Sequence, residues 1–348
     1  MSLIQLPPVA DPVALLRDLP RGESWTMVAA QLLLEAAELA RRVSRGLTPG
    51  LKAVVASELA VLSEWVRQSQ ALLPIASVGE REPHPAETLA EQALSRLEPR
   101  LLAQAYSSYG WAPFTLSTAF IYNGELQVVA RPDPVGPEVL VGYQNQLAAL
   151  HRNIERFLGG KPALATLLYG APGTGKSTAV KALRTVYASQ GLRLVEVLPE
   201  ASARLPDLLE LLAELPYKFI LYFDDLAFDS GERGYRVLKM ILEGAVYELP
   251  SNTLVVATSN RRNLVAESWA ERDQPAGNET MREKQALADR FGLHLTFNPF
   301  DQDLYLAACS RWLGRELGPE EKAEALQFAR AGRGMSGRSA RQFAASRD

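Results

Sequence analysis

Eight residues do most to limit what this chain can fold into: Gly170-Ala171-Pro172-Gly173-Thr174-Gly175-Lys176-Ser177 fits the pattern G-x-x-x-x-G-K-[ST]. The apolar run Ala165 to Tyr169 precedes it and a helical stretch from Thr178 to Ser189 follows, so the loop joins a strand to a helix. In that setting the glycines let successive backbone N–H groups turn inward, and the helix N-terminus adds partial positive charge. The loop, with Thr178 behind it, is therefore expected to cradle the phosphates of a nucleotide. Lys176 would reach the β- and γ-phosphates, and Ser177 would ligate magnesium.

Strand and helix alternate around this loop. Ala165 to Tyr169, Leu192 to Val197, Phe219 to Phe223 and Leu254 to Thr258 are short apolar runs separated by helical stretches, which predicts a parallel α/β sheet covered on both faces. Upstream, residues 12 to 105 carry apolar side chains at helical spacing, in Leu32, Leu33, Ala36 and Leu39 and again in Val54, Leu59, Leu62 and Val66. The stretch Gly79 to Pro85 breaks that pattern. Between Phe114 and Ala130, Asn123-Gly124 separates two β-rich runs and predicts a hairpin, and Pro132, Pro134 and Pro137 then form a linker. Val265 to Glu283 is charged and contains glycine and proline, as expected of an excursion from the sheet, and the chain is helical again from Asp301. The expected organisation is a helical N-terminal region (1–105), a β-hairpin and linker (106–138), an α/β core (139–300) and a small helical domain (301–348).

With 348 residues, 47% of them apolar, the chain can bury more than one core. Its 37 basic and 40 acidic residues give a formal charge of -3, so no global basic field draws it to nucleic acid or anionic membrane. Cys309 is the only cysteine, which excludes an intramolecular disulfide and a cysteine-built zinc site, and its apolar surroundings predict a core thiol. No apolar run approaches the ~18 residues of a membrane span. Met1 to Asp11 lacks a basic region followed by an apolar one. A cytoplasmic protein without membrane contact is expected.

The run Phe219 to Phe223 ends in Asp224-Asp225, two carboxylates at the edge where parallel sheets bind ligands. Asp224 is suited to hold hydrated magnesium, and Asp225 to polarise an attacking water. The run Leu254 to Thr258 leads to Ser259 and the amide of Asn260.

From here the chain resembles the AAA+ ATPases. Asn260 matches the sensor 1 residue, which in that family ends the strand between the P-loop strand and the acidic strand; Thr258 is the weaker candidate. Ala288-Asp289-Arg290-Phe291-Gly292 resembles the segment whose arginine finger reaches the γ-phosphate held by a neighbouring subunit. Ser336 to Phe343 resembles the sensor 2 helix of the lid, in which Arg341 aligns better than Arg338, and Val141-Gly142-Tyr143 resembles the element that cups the adenine. The resemblance implies a five-stranded parallel sheet, a helical lid, ATP and Mg2+ as ligands, and a homo-oligomer with its sites at subunit interfaces. More narrowly, Leu140 to Gln146, the P-loop, Phe219 to Phe228, Ala257 to Arg262, Glu283 to Gly292 and Phe297 to Tyr305 resemble an uncharacterised bacterial AAA+ group known as a domain of unknown function. Like that group, the chain has Asp224-Asp225 where many AAA+ proteins have Asp-Glu. The shorter base implies slow turnover.

These features predict an ATPase that remodels, loads or switches an unknown protein client. Polypeptide threading is not favoured, because the loop Leu198 to Arg204 lacks an aromatic residue. The alternative is a nucleic-acid-associated ATPase of the initiator or helicase-loader type, suggested by Arg311, Arg315, Arg330, Arg333, Arg338, Arg341 and Arg347. Glu316, Glu320, Glu321 and Glu324 dilute that patch. A phosphotransferase shares the P-loop, but Asn260 with Arg290 argues against it.

Overall fold

The computed structural model describes residues 25–72, 83–226, 233–243, 249–260 and 287–347. The readings of Met1 to Asp11 and Val265 to Glu283, and most of the break at Gly79 to Pro85, lie outside the described residues. The chain divides into two compact units, one running to Ser117 and taking in Glu214–Tyr217, the other holding Thr118–Ala213 and everything from Lys218 onward.

The first unit is helical: α1 (Trp25–Glu35), α2 (Ala37–Ser44), α3 (Pro49–Leu72), α4 (Pro85–Arg96) and α5 (Pro99–Tyr109). Helix α4 starts where its sequence supplies caps. Pro85 occupies the first turn, the His84 ring accepts from the Ala86 N–H at 3.1 Å, and the Glu87 carboxylate accepts from the His84 N–H at 2.7 Å. Leu33, Leu59, Leu62, Ala90 and Leu102 are fully buried between these helices. The Tyr106 hydroxyl, also buried, donates to the Leu33 carbonyl at 2.6 Å.

The second unit is built on a seven-stranded sheet. In chain order its elements are β1 (Ala119–Tyr122), β2 (Leu126–Val128), α6 (Gln144–Leu158), β3 (Thr166–Gly170), α7 (Lys176–Tyr187), β4 (Leu192–Val197), α8 (Leu205–Ala213), β5 (Lys218–Phe223), α9 (Arg233–Glu243), β6 (Thr253–Ser259), β7 (Leu293–Phe297), α10 (Gln302–Leu313), α11 (Pro319–Phe328) and α12 (Gly337–Ala345). The strand order is β2-β1-β4-β5-β6-β3-β7, parallel throughout except for the β1–β2 pair. The sheet thus has seven strands where five were expected. The hairpin is not an appendage: Phe120 of β1 pairs with Val195 of β4, so it extends the sheet past an edge that β4 would otherwise leave open.

Strands β5 and β6 are apolar nearly without interruption because helices cover both faces. Leu150 and Ile154 of α6 and Val180 and Leu183 of α7 pack with Leu168, Ile220, Tyr222 and Val256 of the sheet. Registers such as Phe223↔Ala257 and Tyr169↔Ser259 bring the carboxyl ends of β3, β5 and β6 to one edge. The loop after β3, Asp224 and Asp225 after β5, and Asn260 after β6 are gathered there.

Helices α10, α11 and α12 enclose a small core of their own, including Phe300, Tyr305, Ala308, Cys309 and Phe343. Asp301 caps α10 through the Leu304 N–H (2.8 Å), and Ser336 caps α12 through the Ser339 N–H (3.1 Å). Burial pushes the Cys309 thiol up, as suits a core side chain. No helix among the described residues is long and apolar enough to cross a membrane.

Between α6 and α7, His151 Nδ1 lies 2.8 Å from the Tyr187 hydroxyl, which donates to Glu155 at 3.2 Å. Burial lowers His151 below the usual histidine value, so protonation is penalised in the folded state. The stability contributed by the neutral ring is complete above about pH 6.5 and is lost as pH falls through the folded value. The thermal midpoint of the wild type is therefore expected to drop further between pH 7 and pH 5 than that of His151→Gln. Equal drops in the two proteins would show that the ring does not titrate against stability.

Candidate functional site

A cavity of about 440 Å³ opens at the carboxyl edge of β3, β5 and β6, within the second unit. Its floor is residues 172 to 178 with Asp224, Asp225 and Asn260. One wall is Val139 to Val141, and the lid contributes Phe300, Ala308, Trp312, Gly337, Arg338 and Arg341.

The phosphate loop owes its shape to backbone that only glycine adopts readily: Gly170, Gly173 and Gly175 have φ of 137°, 74° and 99°. Close approach adds to this at Gly173, where a Cβ would lie 2.9 Å from that of Ser336 and where the Gly337 N–H donates to the carbonyl at 2.8 Å. Lys176 is 4% exposed, and its ammonium donates to the carbonyls of Gly170 (3.0 Å) and Ala171 (2.8 Å). Burial lowers its pKa, while Asp225 and Asp224 act in the opposite sense.

The acidic strand and its neighbour are joined by hydrogen bonds. Asp224 Oδ1 accepts from Ser177 Oγ (2.8 Å), Thr258 Oγ1 (2.6 Å) and the Asp225 N–H (3.1 Å). Burial alone would raise the Asp224 carboxyl, but Thr258, the neighbouring Tyr222 hydroxyl and Ser177 outweigh it and hold the group below its ordinary range. The Asp225 N–H also reaches Thr258 Oγ1 at 2.9 Å, and its carboxylate accepts from Asn260 Nδ2 at 2.8 Å. Asp225 has φ 47°, in the left-handed region that few side chains other than Asn and Asp tolerate. Two bonds to its N–H and one to its carboxylate hold it there.

The residues present fit a magnesium ion. Ser177 and Asp224 are adjacent hard oxygen donors, and magnesium is commonly held by one or two carboxylates together with phosphate oxygens and water. Among the described residues no group of three or more His, Cys, Asp or Glu could hold a metal. Burial, with the neighbouring Asp224 carboxylate, raises the Tyr222 hydroxyl above its ordinary value, so it stays protonated beside that carboxylate.

Of the residues singled out from sequence, Val141, Pro172 to Thr178, Asp224, Asp225, Asn260 and Arg341 line this one cavity, as does Arg338. Gly170 and Ala171 do not line it; their carbonyls hold Lys176. Gly142 and Tyr143 also lie outside its lining and instead tie sheet to lid. Gly142 has φ 80°, and a Cβ there would lie 2.6 Å from Leu304 Cδ1. The Tyr143 ring packs on Phe297 (4.6 Å between centroids) and Phe300 (6.1 Å), and its hydroxyl donates to the Asn298 carbonyl. Burial, aided by Asp301, pushes that hydroxyl up to about 12. Arg290 is absent from the lining, exposed, and paired with Glu243 at 3.2 Å. Sequence reasoning missed Val139, Leu140, Phe300, Ala308, Trp312 and Gly337. The only signal for Trp312 was its place one turn after the small Ala308, in a stretch that read as plain core.

Five parallel strands in the order β4-β5-β6-β3-β7, a phosphate loop after β3, acids after β5, an amide after β6 and a helical lid define a P-loop NTPase of the AAA+ type. The chain belongs to the family described as protein of unknown function (DUF815), whose model matches residues 115–347. Among solved structures it is similar to the RuvB Holliday junction branch migration motor of Thermotoga maritima, at 12% identity and a TM-score of 0.34 over 61% of this chain and 72% of that one. It is also similar to the Aeropyrum pernix ORC1 protein solved in complex with DNA, at 17% identity and a TM-score of 0.43 over 61% of this chain and 62% of that one. PCH-2 of C. elegans matches at 16% identity and a TM-score of 0.38 over 59% of this chain and 62% of that one. The chain thus spans under two thirds of the ORC1 and PCH-2 chains. No match was found among curated proteins.

Proposed function

We propose that the chain binds ATP with Mg2+ in this cavity and hydrolyses it, working in the cytoplasm as a homo-oligomer that remodels, loads or switches a protein client. The observation that carries this reading is the line of hydrogen bonds from Ser177 through Asp224, Thr258 and Asp225 to Asn260, laid across the cavity floor beside the phosphate loop.

In this reading the loop N–H groups and the start of α7 bind the phosphates. Lys176 exchanges its two carbonyl partners for phosphate oxygens. Ser177 and Asp224 would hold Mg2+, which when bound neutralises phosphate charge. Asp225 accepts the proton of the attacking water, Asn260 orients that water, and Arg341 reaches down from the lid. Arg290, outside its own chain's cavity, acts on the site of a neighbouring subunit. The nucleic-acid reading gains little support from the lid, because Arg315 pairs with Glu321 at 2.6 Å, Arg347 pairs with Glu324, and Arg311 donates to the Glu138 carbonyl at 2.6 Å.

Lys176→Ala tests the ligand. Hydrogen bonds to charged groups are worth about 1.5–3 kcal/mol, so ATP affinity measured by calorimetry is expected to fall roughly ten- to a hundred-fold. Unchanged affinity would mean that nucleotide, if bound at all, sits elsewhere.

A further inference from the structure

The lid carries two kinds of arginine. Arg315 and Arg347 are engaged by carboxylates, whereas Arg341 pairs with no carboxylate among the described residues. Its guanidinium carbon instead stands 5.1 Å from the centroid of the Trp312 ring. The two side chains come from different helices, α10 and α12, and both face the cavity. Trp312 is 36% exposed, a large aromatic face left open on a lid where Phe300, Tyr305 and Phe343 are buried and Phe328 is partly buried.

An arginine side chain is long and flexible, and an aromatic face restricts where its planar head rests. We propose that Trp312 is a positioning residue for Arg341: the indole holds the guanidinium at the cavity wall, where it reads the third phosphate, so the preference for triphosphate over diphosphate depends on an aromatic ring at 312. This rests on the ATP-binding reading above. It assigns Trp312 a part in nucleotide discrimination rather than in base stacking, although apolar Val139, Leu140 and Ala308 share its cavity.

The test is calorimetric titration of the full chain with ADP and with the β,γ-imido analogue of ATP. The wild type is compared with Trp312→Phe, Trp312→Leu, Arg341→Ala and the Trp312→Leu/Arg341→Ala double variant. Trp312→Leu is expected to lower the analogue-to-ADP affinity ratio about two- to five-fold, the range of an exposed cation–π contact, while Trp312→Phe keeps the wild-type ratio. Adding Trp312→Leu to Arg341→Ala should change the ratio no further, because the two residues act as one unit. Equal loss of both ligands in Trp312→Leu would assign the ring to the base and overturn the proposal. So would an unchanged ratio in Trp312→Leu, or a fall in Trp312→Phe as large as in Trp312→Leu. A wild-type chain that binds neither nucleotide overturns the ATP reading itself, an outcome distinct from all of these.

Discussion

Asp225→Asn is expected to bind ATP as the wild type does and to turn it over about 10²- to 10⁴-fold more slowly, the range associated with loss of a general base. The substitution is chosen for its backbone as much as for its chemistry. Asp225 has φ 47°, and asparagine is the other side chain that tolerates this region, so the turn after β5 should survive. Its N–H can keep both bonds, to Thr258 Oγ1 and Asp224 Oδ1. The amide oxygen can still accept from Asn260, leaving a loss of basicity as the main change. Affinity by calorimetry should stay within about twofold and the unfolding free energy within the few tenths of a kcal/mol typical of an exposed substitution. Turnover close to the wild-type rate would remove Asp225 from the chemistry and leave the amide of Asn260 to position water alone.

Arg290→Ala is expected to leave ATP affinity unchanged and to lower turnover by on the order of a thousand-fold, the lower end of what an arginine finger contributes. Arg290 lies outside the lining of its own chain's cavity, and among the described residues its guanidinium pairs with the Glu243 carboxylate at 3.2 Å, an exposed ion pair worth at most about 1 kcal/mol. A neighbour's phosphate can therefore draw it away at small cost. Mixing separates action on a neighbour from action within the chain: combining Arg290→Ala with Asp225→Asn should restore part of the turnover, because sites that pair an intact Arg290 with an intact Asp225 form only across unlike subunits. Normal hydrolysis by Arg290→Ala alone would show that the arginine has no part in the reaction.

Much of the site was legible in the sequence because its parts follow short elements with strong local signals. The phosphate loop is a contiguous pattern, and Asp224, Asp225 and Asn260 each follow an apolar run that could only be a buried strand. What local pattern cannot show is which strands meet. The hairpin was evident from Asn123-Gly124, but its pairing with β4 is a contact between segments some seventy residues apart. Strand β7 escaped notice because an edge strand buried mainly through Leu295 and Phe297 leaves only a brief alternation. Thr258 was ranked below Asn260, although a hydroxyl in an otherwise apolar buried strand is itself a signal, and here it bonds both acids' turn and the Asp224 carboxylate. Tyr143 belongs to a stretch that resembles the family's adenine-cupping element, and its packing on Phe297 and Phe300, about 155 residues away in sequence, leaves no local trace. The pairing of Trp312 with Arg341 leaves no local trace, since it depends on how α10 and α12 pack.

The central claim is that the cavity hydrolyses ATP, and phosphate release from ATP by the purified chain, with magnesium and with no added acceptor, tests it most directly. Release is expected to require magnesium, to rise more than linearly with protein concentration as subunits come together, and to fall about 10²- to 10⁴-fold in Asp225→Asn at every concentration. Tight ATP binding by the wild type with no phosphate released at any concentration, or release that Asp225→Asn sustains equally, would contradict it.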